Sequence, residues 1–102
     1  MYTIKDLIAF KSKGKNKFYE IGGLKSFVVG AWNIENDDKL FKLAIIFSDP
    51  KKTYMGGDAK RIMQEYTLTK TQSRKEKHIL IVDKFNLFLD ANKYDILKLI
   101  FE

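Results

Sequence analysis

The chain is predicted to fold as a single α+β domain over residues 1–102, with a small antiparallel sheet, an N-terminal helix, an inserted helix and a C-terminal helix. Segments rich in β-branched and aromatic residues, separated by turn residues, predict the strands. Segments with apolar residues three and four positions apart predict the helices. A length of 102 residues with 45% hydrophobic residues is sufficient for one packed core and argues against disorder.

The centre of the predicted sheet is a long hairpin of residues 25–34 and 40–47. Its first strand is rich in β-formers, and Gly30 permits a bend or bulge there. The turn is predicted at residues 36–38, where short acidic and amide side chains hydrogen-bond their own backbone. A shorter strand at residues 18–21 precedes the hairpin. The predicted core contains Val29, Leu43, Ile45, Phe47, Ile62, Ile79 and Ile81.

Two helices are predicted from capping residues that are followed by apolar residues at helical spacing. Thr3 precedes Asp6 by three positions, as in a capping box, and predicts a helix over residues 4–12. Asp58 is assigned as the N-cap of the inserted helix, which is predicted to end near Thr67. Alternate threonines from that point onward leave the start of a strand as the alternative.

The last third of the chain is predicted to contribute two short strands and the final helix. Residues 78–82 and 85–89 are apolar runs short enough for buried strands. Residues 93–101 are predicted as a largely buried helix, with a closing edge strand as the alternative. A helix inserted after the third strand is similar in order to an OB-type barrel, and this resemblance implies a sheet that closes on itself.

The positive charge of the chain is concentrated in three polar stretches, residues 11–17, 51–61 and 70–77. Nineteen lysine and arginine residues against thirteen acidic ones give a net charge of +6. Such a surface attracts polyanions, although a merely solvated lysine-rich surface has the same composition. Lysine far outnumbers arginine and lacks the planar fork that reads guanine. Contacts to the nucleic-acid backbone are therefore favoured over base reading.

Nucleic acid, single-stranded and bound with little sequence preference, is the partner that these features predict. Aromatic side chains on a sheet face can stack on bases while neighbouring cations contact phosphates. Trp32 and Tyr54 are the predicted stacking residues, with burial in the core as the alternative for both. The full set of predicted nucleic-acid-binding residues is Lys11, Lys13, Lys15, Lys17, Trp32, Lys51, Lys52, Tyr54, Lys60 and Arg61.

The residue inventory offers little for catalysis, so we expect a non-enzymatic accessory protein without a cofactor or metal. The absence of cysteine excludes disulfides and thiolate-bound metals. His78 is the single histidine and opens an apolar segment, where a structural position is favoured. No apolar run is long enough to span a bilayer, and Lys5 and Asp6 interrupt any apolar leader. A cytoplasmic location is expected.

A protein-binding module is the alternative function. Six of the eight residues at 94–101 are apolar, more than one sheet face readily buries. The predicted interface residues are Ile96, Leu97, Ile100 and Phe101. The partner would then be a replication or repair enzyme to which this chain is an accessory subunit, or a host enzyme inhibited by a protein of the kind that phages and mobile elements encode. A second copy of the chain, forming a homodimer, would cover the same residues.

Overall fold

The computed structural model describes residues 1–49 and 61–101. Within these ranges it has the predicted α+β architecture, with one five-stranded antiparallel sheet and one long helix packed on a single face. The strands follow one another across the sheet in chain order, so the sheet is open rather than closed into the expected OB-type barrel. The elements are a 3-10 turn at Ile4–Asp6, β1 at Leu7–Lys13, β2 at Asn16–Ile21, β3 at Phe27–Ile34, β4 at Asp37–Ser48, β5 at Arg61–Thr69 and α1 at Arg74–Phe101.

The predicted central hairpin is confirmed as β3 and β4. The register places Val29 opposite Ile45, and both side chains are buried on the same face of the sheet. The two strands are joined by a tight turn in which Asn36 has a positive φ of 68°. Asparagine tolerates this left-handed conformation better than most residues, and the register of the two strands shifts beside the turn, between Asn33 and Ile34. Strand β4 therefore begins at Asp37, earlier than predicted.

The predicted N-terminal helix is wrong, because residues 7–13 form β1. The capping box itself is present: the Asp6 carboxylate accepts a hydrogen bond from the Thr3 backbone N–H at 2.8 Å. It closes only one 3-10 turn, after which the chain pairs with β2 in a hairpin whose turn contains Gly14 at φ 62°. Ladder hydrogen bonds to β2 outweigh a helical pattern that offered one apolar residue per turn.

The inserted helix is also wrong in the part that the structure describes, since residues 61–69 form β5 along β4. Ile62 and Tyr66 are four positions apart, a spacing that fits one face of a helix and one face of a strand equally well. The alternative, a strand that starts at Thr67, has the correct type of element, but the strand of the structure begins earlier, at Arg61. The assigned N-cap Asp58 lies outside the described residues.

The two strands predicted at residues 78–82 and 85–89 are wrong, because both lie within the single helix α1. The helix predicted at residues 93–101 is confirmed as the last part of α1, but its predicted burial is wrong, because only Ile96 and Leu99 are buried there. A short apolar run fits a buried helix as well as a buried strand, so the run alone does not separate the two. Ile79 shows the consequence: it is 39% exposed on α1 instead of lying in the core.

The core lies between α1 and the sheet face that the helix covers. Phe27 of β3 is central to it, with its ring centroid 5.0 Å from that of Phe47 on β4 and 5.1 Å from that of Phe85 on α1. Phe88 is buried one turn further along α1. Ile62 packs at the margin. The predicted core residues that are confirmed as buried are Val29, Leu43, Ile45, Phe47 and Ile81.

The N-terminus is fixed to α1 by an amide side chain. The Asn86 Oδ1 atom accepts a hydrogen bond from the Tyr2 backbone N–H at 3.1 Å, and Asn86 Nδ2 donates to the Tyr2 carbonyl oxygen at 2.9 Å. The Tyr2 ring also lies against Gly22, where any side chain would collide with it. Gly22 has φ 61°, so both its conformation and its surroundings require glycine.

Phe88→Ala should lower the free energy of unfolding by about 3–5 kcal/mol, because it leaves a cavity under α1. Phe101→Ala on the same helix is the matched control, since Phe101 is 83% exposed whereas Phe88 is fully buried. The control should change stability by no more than about 0.5 kcal/mol. Urea denaturation of the two variants measures the difference, and equal losses would contradict the packing of α1.

Candidate nucleic-acid interface

The sheet has one face covered by α1 and one open face, and strand alternation decides which side chains reach each. On β3, Val29 and Ala31 are buried under α1, whereas Val28, Gly30 and Trp32 lie on the opposite side. We call this second surface the open face. Trp32, the predicted stacking residue, is therefore partly exposed on the open face rather than buried under the helix.

Two rows of registered residues cross the open face, one through Gly30 and the next through Trp32. A methyl group at Gly30 would lie 3.4 Å from Phe18 Cε1, so the Phe18 ring lies over the Gly30 backbone on the neighbouring strand. The rows are Phe18, Gly30, Ala44 and Glu65, and then Asn16, Trp32, Lys42 and Thr67. A groove of about 270 Å³ runs here, with an apolar lining of Phe18, Val28, Trp32, Ala44, Ile46 and Met63.

Positive charge borders the open face on its β1 side. Lys11 is registered opposite Phe18, and Lys13 projects to the same face two residues further on. Both lysines are exposed, and neither has a carboxylate partner among the described residues. On the other side of the groove, Lys42 Nζ lies 3.4 Å from Glu65 Oε1, which partly neutralises it. The unpaired cations of the open face therefore lie beside its aromatic rings.

A second group of cations lies where the sheet meets the start of α1. Two adjoining hollows there, of about 320 and 230 Å³, share the lining residues Lys17, Tyr19, Arg74 and His78. We call this concavity, which Lys77 also lines, the helix-side cleft. The Tyr19 and His78 rings meet edge to face in its wall, with 5.7 Å between their centroids.

The cations of the helix-side cleft are close enough to perturb one another. Burial lowers the pKa of Lys77 below its usual 10.5, and the charges of Lys17, Lys70 and Arg74 lower it further. Burial also lowers the pKa of His78 below 6.5, with further contributions from Arg74, Lys77 and Lys17. Within residues 1–49 and 61–101 none of the four cations has a carboxylate partner. The cleft therefore carries uncompensated positive charge.

The structure divides the first predicted lysine cluster between three places. Lys11 and Lys13 are registered with Phe18 and Asn16 and so border the open face, while Lys11 at the sheet edge also lines one hollow of the helix-side cleft. Lys17 is registered opposite Ala31 and lines the helix-side cleft. Lys15 is exposed in the turn between β1 and β2. A stretch that the sequence presents as one charge cluster thus serves two surfaces.

The second predicted cluster is mostly outside the described part of the chain. Lys51, Lys52, Tyr54 and Lys60 lie there. Arg61 is described: it is exposed at the start of β5 and is registered opposite Ser48. Its distance along β5 from the Trp32 row leaves it at the far end of the open face.

The residues predicted from the sequence leave out two residues of the open face, Phe18 and Lys42, and two cations of the cleft, Arg74 and Lys77. Phe18 and Lys42 join Trp32 only through the β2–β3 and β3–β4 registers, which composition does not specify. Lys70, Arg74 and Lys77 were visible as a basic stretch. The strand predicted at residues 78–82 hid their proximity to Lys17, since a helix is needed to place Arg74 and Lys77 one turn apart.

The predicted interface residues of the C-terminus separate between the two sides of α1. Ile96 is buried against the sheet. Leu97, Ile100 and Phe101 are exposed, and Tyr94 is exposed beside them. The outer surface of α1 therefore carries an apolar patch near the C-terminus.

The described residues hold no cluster of three histidine, aspartate or glutamate side chains suited to a metal ion. In the same ranges, no helix combines the length and the apolar character needed to cross a membrane.

Protein-family models, curated proteins and solved structures were each compared with the chain, and none of the three gives a match. The function is therefore argued from the geometry of the two surfaces.

The low pKa of His78 makes part of the stability depend on pH. Because the unfolded chain protonates this imidazole more readily than the native one, stability is greatest above pH 6.5 and falls as the pH is lowered from there. The His78→Phe variant keeps an aromatic ring against Tyr19 but has no titrating group there. Its stability should therefore fall less steeply than that of the wild type as the pH is lowered. Urea denaturation at several values between about pH 5 and pH 8 tests this. Parallel profiles for the two proteins would show that His78 does not titrate as described.

Proposed function

We propose that the protein binds single-stranded nucleic acid across the open face, with little sequence preference. The observation that carries the proposal is the placement of two aromatic rings, Phe18 and Trp32, on an uncovered sheet face beside the unpaired cations Lys11 and Lys13. Bases would stack on the rings while the lysines contact the phosphates. A cytoplasmic location, expected from the sequence, suits this ligand.

The spacing of the two rings favours a single strand over a duplex. Phe18 is registered with Gly30, and Trp32 is two residues further along β3, so the rings occupy diagonal positions on neighbouring strands. Such positions are about 7–8 Å apart, whereas bases in a duplex strand rise by about 3.4 Å. Two rings at this distance match bases that have been separated from one another. Each stacked base would contribute about 1–3 kcal/mol to binding.

Low sequence preference follows from the lining of the groove. Its floor is apolar, and its polar side chains are those of Asn16 and Glu65 at the margin. Base edges are distinguished by paired donors and acceptors, which an apolar floor does not supply. The bordering cations are lysines, which contact phosphates as point charges.

We propose a binding protein rather than an enzyme. In the described part of the chain, burial and then the neighbouring cations lower the pKa of His78, and the nearby hydroxyl groups already form hydrogen bonds in the turn before α1. Thr71 Oγ1 donates a hydrogen bond to the Ser73 carbonyl oxygen at 2.9 Å, and Ser73 Oγ accepts one from the Glu76 backbone N–H at 3.1 Å. This arrangement supports a structural role for those groups rather than nucleophilic chemistry.

Trp32→Ala should weaken binding of an oligothymidylate about 5- to 160-fold, the loss equivalent to one stacked base at about 1–3 kcal/mol. Fluorescence anisotropy measures the affinity. Tyr94→Ala is the matched control, because Tyr94 is an exposed aromatic residue on α1, on the opposite side of the sheet from Trp32. It should leave the affinity unchanged. An equal loss in both variants, or none in Trp32→Ala, would refute binding at the open face.

A protein-binding role is the second candidate, favoured by the outer surface of α1. Four exposed apolar residues lie on one stripe of α1, because successive residues of a helix are rotated by about 100° around its axis: Leu87, Tyr94, Leu97 and Phe101. This stripe points away from the sheet. An apolar stripe on a helix is a common docking surface for another protein. The accessory-subunit, host-enzyme and homodimer alternatives would each use it.

Leu97→Asp combined with Phe101→Asp should abolish association through α1 without unfolding the protein, since both side chains are exposed. Leu99→Asp is the contrasting variant, because Leu99 faces the core and a buried carboxylate should unfold the chain. Light scattering and circular dichroism report mass and folding. A wild type that is monomeric at high concentration would remove the homodimer alternative. Unfolding of the double variant would refute the exposed position of the stripe.

A further inference from the structure

We propose that the helix-side cleft is a phosphate-binding site, separate from the open face. Lys17, Arg74 and Lys77 would hold the phosphate group, with Tyr19 and His78 forming the wall behind it and the nearby charge of Lys70 adding to the positive potential. The ligand class is a phosphate group, either free or carried by a nucleic acid. The proposal does not depend on stacking at Trp32, which lies on the other side of the sheet.

The first argument is the unbalanced charge of the cleft. Lys17 comes from β2 and Arg74 and Lys77 come from α1, Lys70 adds its charge from the segment after β5, and in the described chain none of them has a carboxylate partner. Glu76, the acidic residue of the first turn of α1, does not line the cleft. Holding like charges together in a partly buried space is unfavourable. A bound dianion would relieve that repulsion, so the site is organised for one.

The second argument is the donor geometry. Arg74 supplies a planar guanidinium, which can hold two phosphate oxygens at once. Lys77 is restrained, because its Nζ lies 5.3 Å from the centroid of the Phe41 ring. Burial raises the pKa of Tyr19, and the Arg74 charge only partly opposes this, so its hydroxyl stays neutral and able to donate. Three different donor types thus face one concavity.

The anion would be held by side chains rather than by the end of the helix. The Glu76 backbone N–H already donates to Ser73 Oγ, and the Lys77 backbone N–H donates to the Ser73 carbonyl oxygen at 3.2 Å. The first turn of α1 is therefore capped by its own chain. Substitution of the cleft side chains should remove binding without affecting the helix.

His78 supplies a direct readout, because it is the single histidine and faces the cleft. Its imidazole resonances can be followed by NMR while inorganic phosphate is added at pH 7, with sodium chloride of equal ionic strength as the reference. Saturable shifts with phosphate, absent with chloride, are expected. A dianion beside the ring should also raise the pKa of His78, because it stabilises the imidazolium form. The charged groups that face the ring from β2 and α1 are Lys17, Arg74 and Lys77.

Arg74→Gln should weaken phosphate binding at least tenfold, and Arg74→Lys, which keeps the charge but loses the fork, should weaken it less. Lys75→Gln is the matched control: Lys75 is an exposed cation on the same turn of α1, and it does not line the cleft. It should bind phosphate as the wild type does. Identical behaviour of the Arg74 and Lys75 variants, or shifts no larger than those with chloride, would overturn the site.

The source of the phosphate is decided by repeating the titration with oligothymidylates, with and without a 5′-phosphate, in the Trp32→Ala background. Shifts with free phosphate alone identify a small-molecule site. Larger shifts with the 5′-phosphorylated strand identify a site for the end of a nucleic acid, and equal shifts with both strands identify its backbone. Each result supports the site, because His78 faces the cleft and Trp32→Ala weakens binding at the open face on the other side of the sheet.

Discussion

The aromatic side chains of α1 pack against one face of the sheet, and this contact sets the arrangement of the other parts of the protein. Phe85 and Phe88 meet Phe27 on β3, and they are the large side chains that fill the space under the helix. One helix covers one face of a five-stranded sheet, and the described chain supplies no second layer for the other. The opposite face must then either remain exposed to water or bind a ligand or partner. Its apolar groove is larger than solubility requires, which is the physical basis for treating it as a binding surface.

The register of the β1–β2 hairpin controls how positive charge is distributed around that core. Successive residues of a strand project to opposite faces, so closely spaced lysines separate as soon as the hairpin forms. Lys11 and Lys13 reach the open face, whereas Lys17 reaches the cleft beside Arg74. A register shift of one residue would exchange these roles. Gly14 at φ 62° therefore sets the local turn and, through the hairpin register, the placement of these lysines.

The central hairpin could be predicted from the sequence because β-branched residues, alternation and a turn coincide between Phe27 and Phe47. The helix could not, because the runs at residues 78–82 and 85–89 are as suitable for strands, and only contact with the sheet selects the helical period. At the candidate site, the open-face position of Trp32 could be predicted, because strand alternation directs its side chain to the face opposite that of Val29. Phe18 and the cleft could not, since they depend on a register and on the direction of α1, which are tertiary properties.

The two surfaces share one edge of the molecule, and this explains how a single hairpin can serve both. The β1–β2 turn carries Lys15 between the lysines of the open face and Lys17 of the cleft, so the positive potential continues around the edge. Long-range attraction acts on any polyanion and does not distinguish the two sides. In the proposed function, discrimination would arise at contact, where the aromatic rings would retain bases on one side and a fork of donors would retain phosphate on the other. A short hairpin segment can thus supply side chains to two chemically different surfaces, because strand alternation directs neighbouring side chains to opposite faces.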